Sequence, residues 1–243
     1  MPPQTGESTR NAILDAAEAV FARHGYDGAS LRAIANRAGV NQPLIHYHFE
    51  SKDGLFRAVF RRRAGAINRQ REITLQALRL ESGPSAPVLE QVVEALLRPT
   101  IELGHDSRRG GRHYAQLVVT MANAPDDRSK SLIAENYNAI ARTFIAAFRE
   151  CLPDLSPADA VWGYLHAISI ALTLMAPTGR AGDLTESSDS ERADDSDIEA
   201  VLERTVPFIC AGLRALANRG NAGRAGDTPS PVAEAVAGKR RRA

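Results

Sequence analysis

The chain has 243 residues, 44% of them hydrophobic and only two of them cysteine; this is enough for one small domain joined to a larger one, and it excludes a disulfide scaffold. Its longest apolar stretch, residues 167–176, falls short of the roughly 20 residues that span a bilayer, and Met1 to Gly6 lacks a basic-then-apolar signal pattern, so a cytoplasmic protein with no membrane partner is expected. The formal net charge of +1 hides a separation: up to Arg71 eleven basic residues stand against six acidic ones, a net of +5, which suits a polyanionic partner at one end of the molecule.

Apolar residues recur at spacings of three and four almost throughout, and no alternating β-branched run occurs, so an all-α chain of about nine helices is expected. After a disordered arm at residues 1–8, a helix from about Thr9 to His24 puts Ile13, Ala17, Val20 and Phe21 on one face and stops at Gly25. A short helix follows Ser30, a good N-cap, and another follows Asn41. A fourth opens at Ser51 and runs to about Leu80, where residues 81–87, rich in Ser, Gly and Pro, form a loop. Five further helices are expected over about Val88–Leu103, His113–Asn123, Ser129–Leu152, Pro157–Met175 and Asp197–Ala217, the first of them kinked at Pro99. Between the last two, residues 183–197 read as a mobile acidic loop without the glycine and spacing of a calcium site, so no metal is expected. Residues 218–243 read as a disordered basic tail with weak attraction for DNA. Cys151 and Cys210 fall within apolar helical patterns and read as packed, reduced thiols.

Residues 30–49, SLRAIANRAGVNQPLIHYHF, carry the chemistry. Leu31, Ile34, Ala35 and Ala38 share one face; Gly39 permits a tight turn; Val40 and Ile45 pack the following helix back onto the first. This is the pattern of a helix-turn-helix. It leaves Asn41, Gln42, Pro43, Leu44, His46 and Tyr47 facing outward near the start of the third helix, the end that such motifs place in the major groove. There Gln42 can pair with adenine and Pro43 or Leu44 can meet a thymine methyl, while Arg32 reaches guanine or phosphate and Lys52 clamps the backbone. His46 and His48 lie two apart, about 200° around a helix, and cannot easily hold one metal ion. No nucleophile elbow, phosphate-binding glycine loop, dinucleotide fingerprint or paired-histidine zinc motif occurs, so neither a cofactor nor enzyme activity is expected.

The segments SLRAIANRAGV and NQPLIHYHFESKDGLF resemble the DNA-binding signature of the tetracycline-repressor family over residues 9 to about 60. The resemblance implies base contacts from Arg32, Gln42, Pro43, Leu44 and Tyr47, and phosphate contacts from Ser30, His46, His48 and Lys52. His46 departs from the Tyr usual at its position, which makes that contact pH-sensitive. The family also implies an N-terminal three-helix DNA-binding domain, residues 9–55, and a C-terminal helical bundle, residues 56–217, for ligand binding and dimerisation. Residues 135–176 resemble a subgroup that responds to fatty acids or their coenzyme A esters.

On the residues alone, Ile133, Tyr137, Ile140, Phe144, Phe148 and Cys151 form a stripe extended by Leu117 and Met121. Such a stripe is usually plain core, with lining of a pocket the alternative. Leu117, Met121, Tyr137, Phe144, Trp162 and His166 are the candidate ligand contacts. The helix at 157–175 has an apolar face and a mixed one, and with the last helix it offers a four-helix homodimer interface. The expectation is a dimeric, sequence-specific repressor released from a near-palindromic operator by a small hydrophobic effector. The alternatives are an effector-independent regulator or activator and, remotely, a helical enzyme.

Overall fold

The computed structural model describes residues 6–106, 110–185 and 193–225, which contain ten helices and no strand. They are α1 (Gly6–Gly28), α2 (Leu31–Ala38), α3 (Gln42–Phe49), α4 (Lys52–Ser82), α5 (Leu89–His105), α6 (Gly111–Asn123), α7 (Asp127–Cys151), α8 (Pro157–Leu174), α9 (Arg180–Asp183) and α10 (Ile198–Ala225). Half of the helix starts follow from these caps: Ser30, Asn41, Ser51, Asp126 and Ser156 each accept a hydrogen bond from the amide three residues on, at 3.0–3.1 Å, satisfying a donor that the first turn leaves without an intrahelical partner. Gly25 breaks α1 with φ 67°, and Gly39 closes α2 in the left-handed region at φ 67°, as expected of residues without a Cβ penalty there.

Two buried clusters organise the packing. One joins α1, α2, α3 and the first half of α4 with α6, and takes in Leu132 and Met175. The other packs α5 against α7, α8, α10 and the end of α4. The core of the head is therefore continuous with α6, whose Tyr114, Ala115, Leu117 and Val118 share a cluster with Ile13, Ala17 and Phe21. A run of aromatic rings follows the same route: Phe21 and Tyr26 meet Phe56 edge-on at 4.8 and 5.0 Å, Phe56 meets Phe60 at 5.2 Å, and Phe60 meets Tyr114 at 5.7 Å.

Several boundaries differ from expectation. The last helix continues eight residues past Ala217 to Ala225, because each added residue in an established helix gains a backbone hydrogen bond. The short α9 lies where only loop was expected, whereas α5 runs across Pro99 as one helix, as expected. Proline removes one amide donor from that turn, and the neighbouring carbonyl of Leu96 accepts a hydrogen bond from Arg71 Nε at 2.9 Å. In the acidic segment, residues 186–192 lie outside the described residues. The adjoining Asp195 is anchored: its carboxylate accepts from the amides of Thr178 and Gly179, and its carbonyl lies 3.0 Å from His105 Nε2. The expected arm and basic tail lie largely outside the described residues.

Candidate nucleic-acid interface and cavity

α2 and α3 form a helix-turn-helix across Gly39, Val40 and Asn41. Ile34, Ala35 and Ile45 are buried at its centre, with Leu31, Ala38 and Val40 partly buried around them. Phe49 seats the end of α3 in the same cluster, so Gln42, Pro43, His46 and Tyr47 are exposed. Tyr47 is 81% exposed, the most open large hydrophobic side chain of the head. Leu44 and His48 are half-buried at the edges of this face.

Several of these residues also perform structural tasks. Ser30 and Asn41 use their side-chain oxygens as caps, leaving the Ser30 hydroxyl proton and the Asn41 amide hydrogens available for outside acceptors. His46 Nδ1 lies 3.0 Å from the carbonyl of Glu50, so Nδ1 carries the proton there and Nε2 is directed away from that bond. Lys52 Nζ donates to the Asp27 carbonyl at 3.3 Å and rests 4.7 Å from the Tyr26 ring, tying α4 to the end of α1. Arg32 is exposed at the start of α2, and Arg10 lies over the Phe49 ring at 5.1 Å. Positive charge thus flanks a reading face that is itself neutral.

A cavity of about 380 Å³ lies between α4, α5, α6, α7 and α8, within the size range of small-molecule pockets. Buried Arg71, Thr100, Tyr114 and Met175 lie at its inner end, and exposed Asn123, Asn138 and Ser169 lie at its mouth. Apolar walls come from Val118, Ile133, Ile168 and Leu172. The hydroxyl groups of Tyr114 and Tyr137 are hydrogen-bonded to each other. Burial raises the pKa of both, and of Tyr164, so all three stay neutral phenols at physiological pH.

Of the six candidate ligand contacts, the structure brings only Tyr137 to this cavity. Leu117 and Phe144 are core residues in the two clusters, and Met121 is half-buried beside the Ser129 hydroxyl, with Sδ at 3.2 Å. Trp162, 58% exposed, and His166 point outward, because Ala160, Gly163 and Ala167 form the face of α8 that packs inward. A Cβ at Gly163 would strike the Leu213 side chain of α10. Arg71 was missed, although the sequence carries a signal for it. It occupies the buried stripe of α4 between Ile67 and Leu75, where helical spacing calls for an apolar side chain.

Residues 13–59 match the family described as bacterial regulatory proteins, tetR family, and residues 94–212 match the family's tetracyclin repressor-like C-terminal domain. The chain belongs to the tetR family. Its N-terminal part is similar to the HTH-type transcriptional repressor BepR of Brucella suis biovar 1 (strain 1330), 42% identical over 89 residues. That match covers 37% of this chain and 41% of BepR. Similarity to the HTH-type transcriptional regulator AcrR of Shigella flexneri extends further, 28% identical over 161 residues, 64% of this chain and 70% of AcrR. The tetR-family fold also matches the solved structure of the fatty acid degradation regulator FadR from Bacillus halodurans with a TM-score of 0.60, over 85% of this chain and 96% of that one, at 17% identity. At that identity the likeness is one of fold.

The two thiols of this tetR-family chain lie away from both sites. Cys151 is half-buried and donates to the Pro87 carbonyl at 3.2 Å; Cys210 is buried. Burial pushes the Cys151 thiol up to about 11 and Cys210 up to about 12, so neither is a thiolate at neutral pH. Cys210 in the native protein is expected to resist a maleimide at neutral pH and to react once urea unfolds the chain. Modification of Cys210 within seconds of mixing with the native protein would contradict this.

Proposed function

We propose that the protein is a homodimeric, sequence-specific DNA-binding transcriptional repressor, released from a near-palindromic operator by a small apolar effector held in the α4–α8 cavity. The observation that carries this reading is the face of α3. Gln42, Pro43, His46 and Tyr47 are exposed together on a helix whose opposite side is locked by Ile45 and Phe49, and an exposed tyrosine beside a glutamine suits base edges better than solvent. Arg32, Gln42, Pro43, Leu44 and Tyr47 are the proposed base contacts. Ser30, Asn41, His46, His48 and Lys52 are the proposed backbone contacts.

The dimer is assigned to α8 and α10. Val161, Trp162 and Leu165 of α8 and Phe208 of α10, 70% exposed, leave apolar surface uncovered, which a twofold partner would bury. Two heads then meet two half-sites of a symmetric operator. Control passes along α4, which begins at the Ser51 cap beside α3 and reaches the cavity at Ile67, about 24 Å further on at the helical rise, and at Arg71 one turn later. An effector shifts the balance only by binding better to the conformation in which the heads are wrongly spaced. Apolar compounds are the proposed class, with fatty acids and their coenzyme A esters as first candidates on the resemblance of residues 135–176.

Selection from random duplexes, followed by gel shift, tests the reading. A twofold-symmetric consensus bound by a dimer and released by one compound of an apolar panel is the expected result. Binding that follows salt alone, with no enriched sequence, would exclude it.

A further inference from the structure

Arg71 is fully buried, with none of its surface accessible, yet it lines the cavity. Its guanidinium donates to the Leu96 carbonyl through Nε at 2.9 Å, to Thr100 Oγ1 through Nη2 at 2.8 Å and to Asn68 Oδ1 through Nη1 at 3.4 Å. All three acceptors are neutral. These bonds use three of its five N–H groups, leaving one on each terminal nitrogen. Among the described residues no carboxylate pairs with it. Burial lowers its pKa from the ordinary arginine value, and the charged neighbours that offset burial elsewhere in this chain are missing here. By contrast, the partly buried guanidinium of Arg63 faces Glu18 through two hydrogen bonds of 2.8 Å.

A buried cation without an anion is strongly unfavourable, and arginine keeps its proton. The remaining N–H pair, one from each terminal nitrogen, matches the fork that takes a carboxylate through two parallel bonds. Tyr114 and Tyr137 add to the same end of the cavity. In a bond between two phenols one hydroxyl proton is left over, and it is available to an acceptor. Beyond this polar end the walls are Val118, Ile133, Ile168 and Leu172.

We infer that the cavity takes an apolar monocarboxylate, with its carboxylate paired to Arg71 and its body lying along the α6, α7 and α8 walls toward the mouth. This rests on the cavity being the effector site. One positive charge is matched by one negative charge, which favours a carboxylate over a phosphate monoester with nearly two. Of the two candidates named above, this favours the free acid over its thioester, whose acyl carbonyl carries no charge to meet Arg71.

The test measures binding to the full chain by calorimetry for two probe sets: decanoate with decanol, methyl decanoate and decyl phosphate, and naphthoate with its alcohol and its methyl ester. In at least one set the carboxylate is expected to bind about 10- to 100-fold tighter than its neutral partners, the range of a hydrogen bond to a charged group. That preference should disappear in Arg71→Met and survive in part in Arg71→Lys. Because Arg71→Met also removes the bonds to Leu96 and Thr100, the wild-type probe series stands by itself should the variant not fold. Neutral probes binding as tightly as the acids, decyl phosphate binding tighter than decanoate, or a preference kept in Arg71→Met would each overturn the carboxylate assignment while leaving the effector cavity intact. Failure of every probe to bind would also overturn it. A screen for operator release by neutral or cationic compounds then decides separately whether the cavity is an effector site.

Discussion

Gln42→Ala is expected to lower affinity for the operator by a factor on the order of 30 to 10⁴ while leaving affinity for random duplex DNA unchanged. A bidentate pair to a base discriminates by about 1–3 kcal/mol, and a twofold dimer loses it in both half-sites. Gln42 lies exposed in the first turn of α3, with its helix held by the Asn41 cap and by buried Ile45 and Phe49. Removing its amide therefore changes what the helix reads and not where the helix lies. Lys52→Ala provides the contrast. Its ammonium is held between the Asp27 carbonyl and the Tyr26 ring, at the flank of the reading face and not on α3, so its loss should weaken all duplexes alike and reduce the salt slope by about one per head. Gel shifts with operator and scrambled duplex at several salt concentrations separate the two variants. The same loss of specificity in both would refute this division of roles.

Glu18→Ala is expected to cost about 3–5 kcal/mol of stability, the range for breaking a buried ion pair from one side and a large share of the 5–15 kcal/mol typical of a folded protein. Glu18 sits on α1 with its side chain only 2% exposed, and it faces Arg63 through both oxygens and Arg62 through one, at 2.8–3.0 Å. Burial works most strongly against the Arg63 charge, and the hydrogen bonds to Glu18 together with the Glu18 and Asp15 charges outweigh it, leaving that guanidinium with a raised pKa. Without the carboxylate, two guanidinium groups remain crowded in a partly buried site where Arg62 Nε already lacks a partner. Asp15 is the control. It meets Arg62 at 2.7 Å but is 70% exposed, so Asp15→Ala should cost less than about 1 kcal/mol. Urea denaturation followed by circular dichroism measures both. A midpoint for Glu18→Ala as high as that for Asp15→Ala would show that the buried pair contributes nothing special.

The head was legible because local chemistry sets it. Ser30, Asn41 and Ser51 announce helix starts, Gly39 announces a left-handed end and Gly25 a break within α1, and the spacing of Ile34, Ala35, Ile45 and Phe49 separates the packed face of the motif from the open one. The cavity was less legible, since its lining depends on height along a helix as well as on face. Tyr137 and Phe144 share one face of α7 yet stand about 10 Å apart along its axis. The first is level with the cavity, whereas the second is level with the α5 and α10 core. In α8 attention to the large residues obscured the packed face, which is marked by the small ones, Ala160, Gly163, Ala167 and Ala171, where α10 comes close. Arg71 shows the opposite case: a charge inside an apolar stripe is a local inconsistency, and such inconsistencies gather at functional sites.

The face that α6 lays on α1 limits how freely this protein can exchange parts with its relatives. A hybrid regulator built by transplanting residues 9–55 from another member would bring a foreign surface against Tyr114, Ala115, Leu117 and Val118. Interiors tolerate changes in shape only when total volume is conserved. A working graft therefore has to match side-chain size at positions 13, 17 and 21, or carry α6 with it. The seam between reading and sensing is a filled core, and recombination has to follow it.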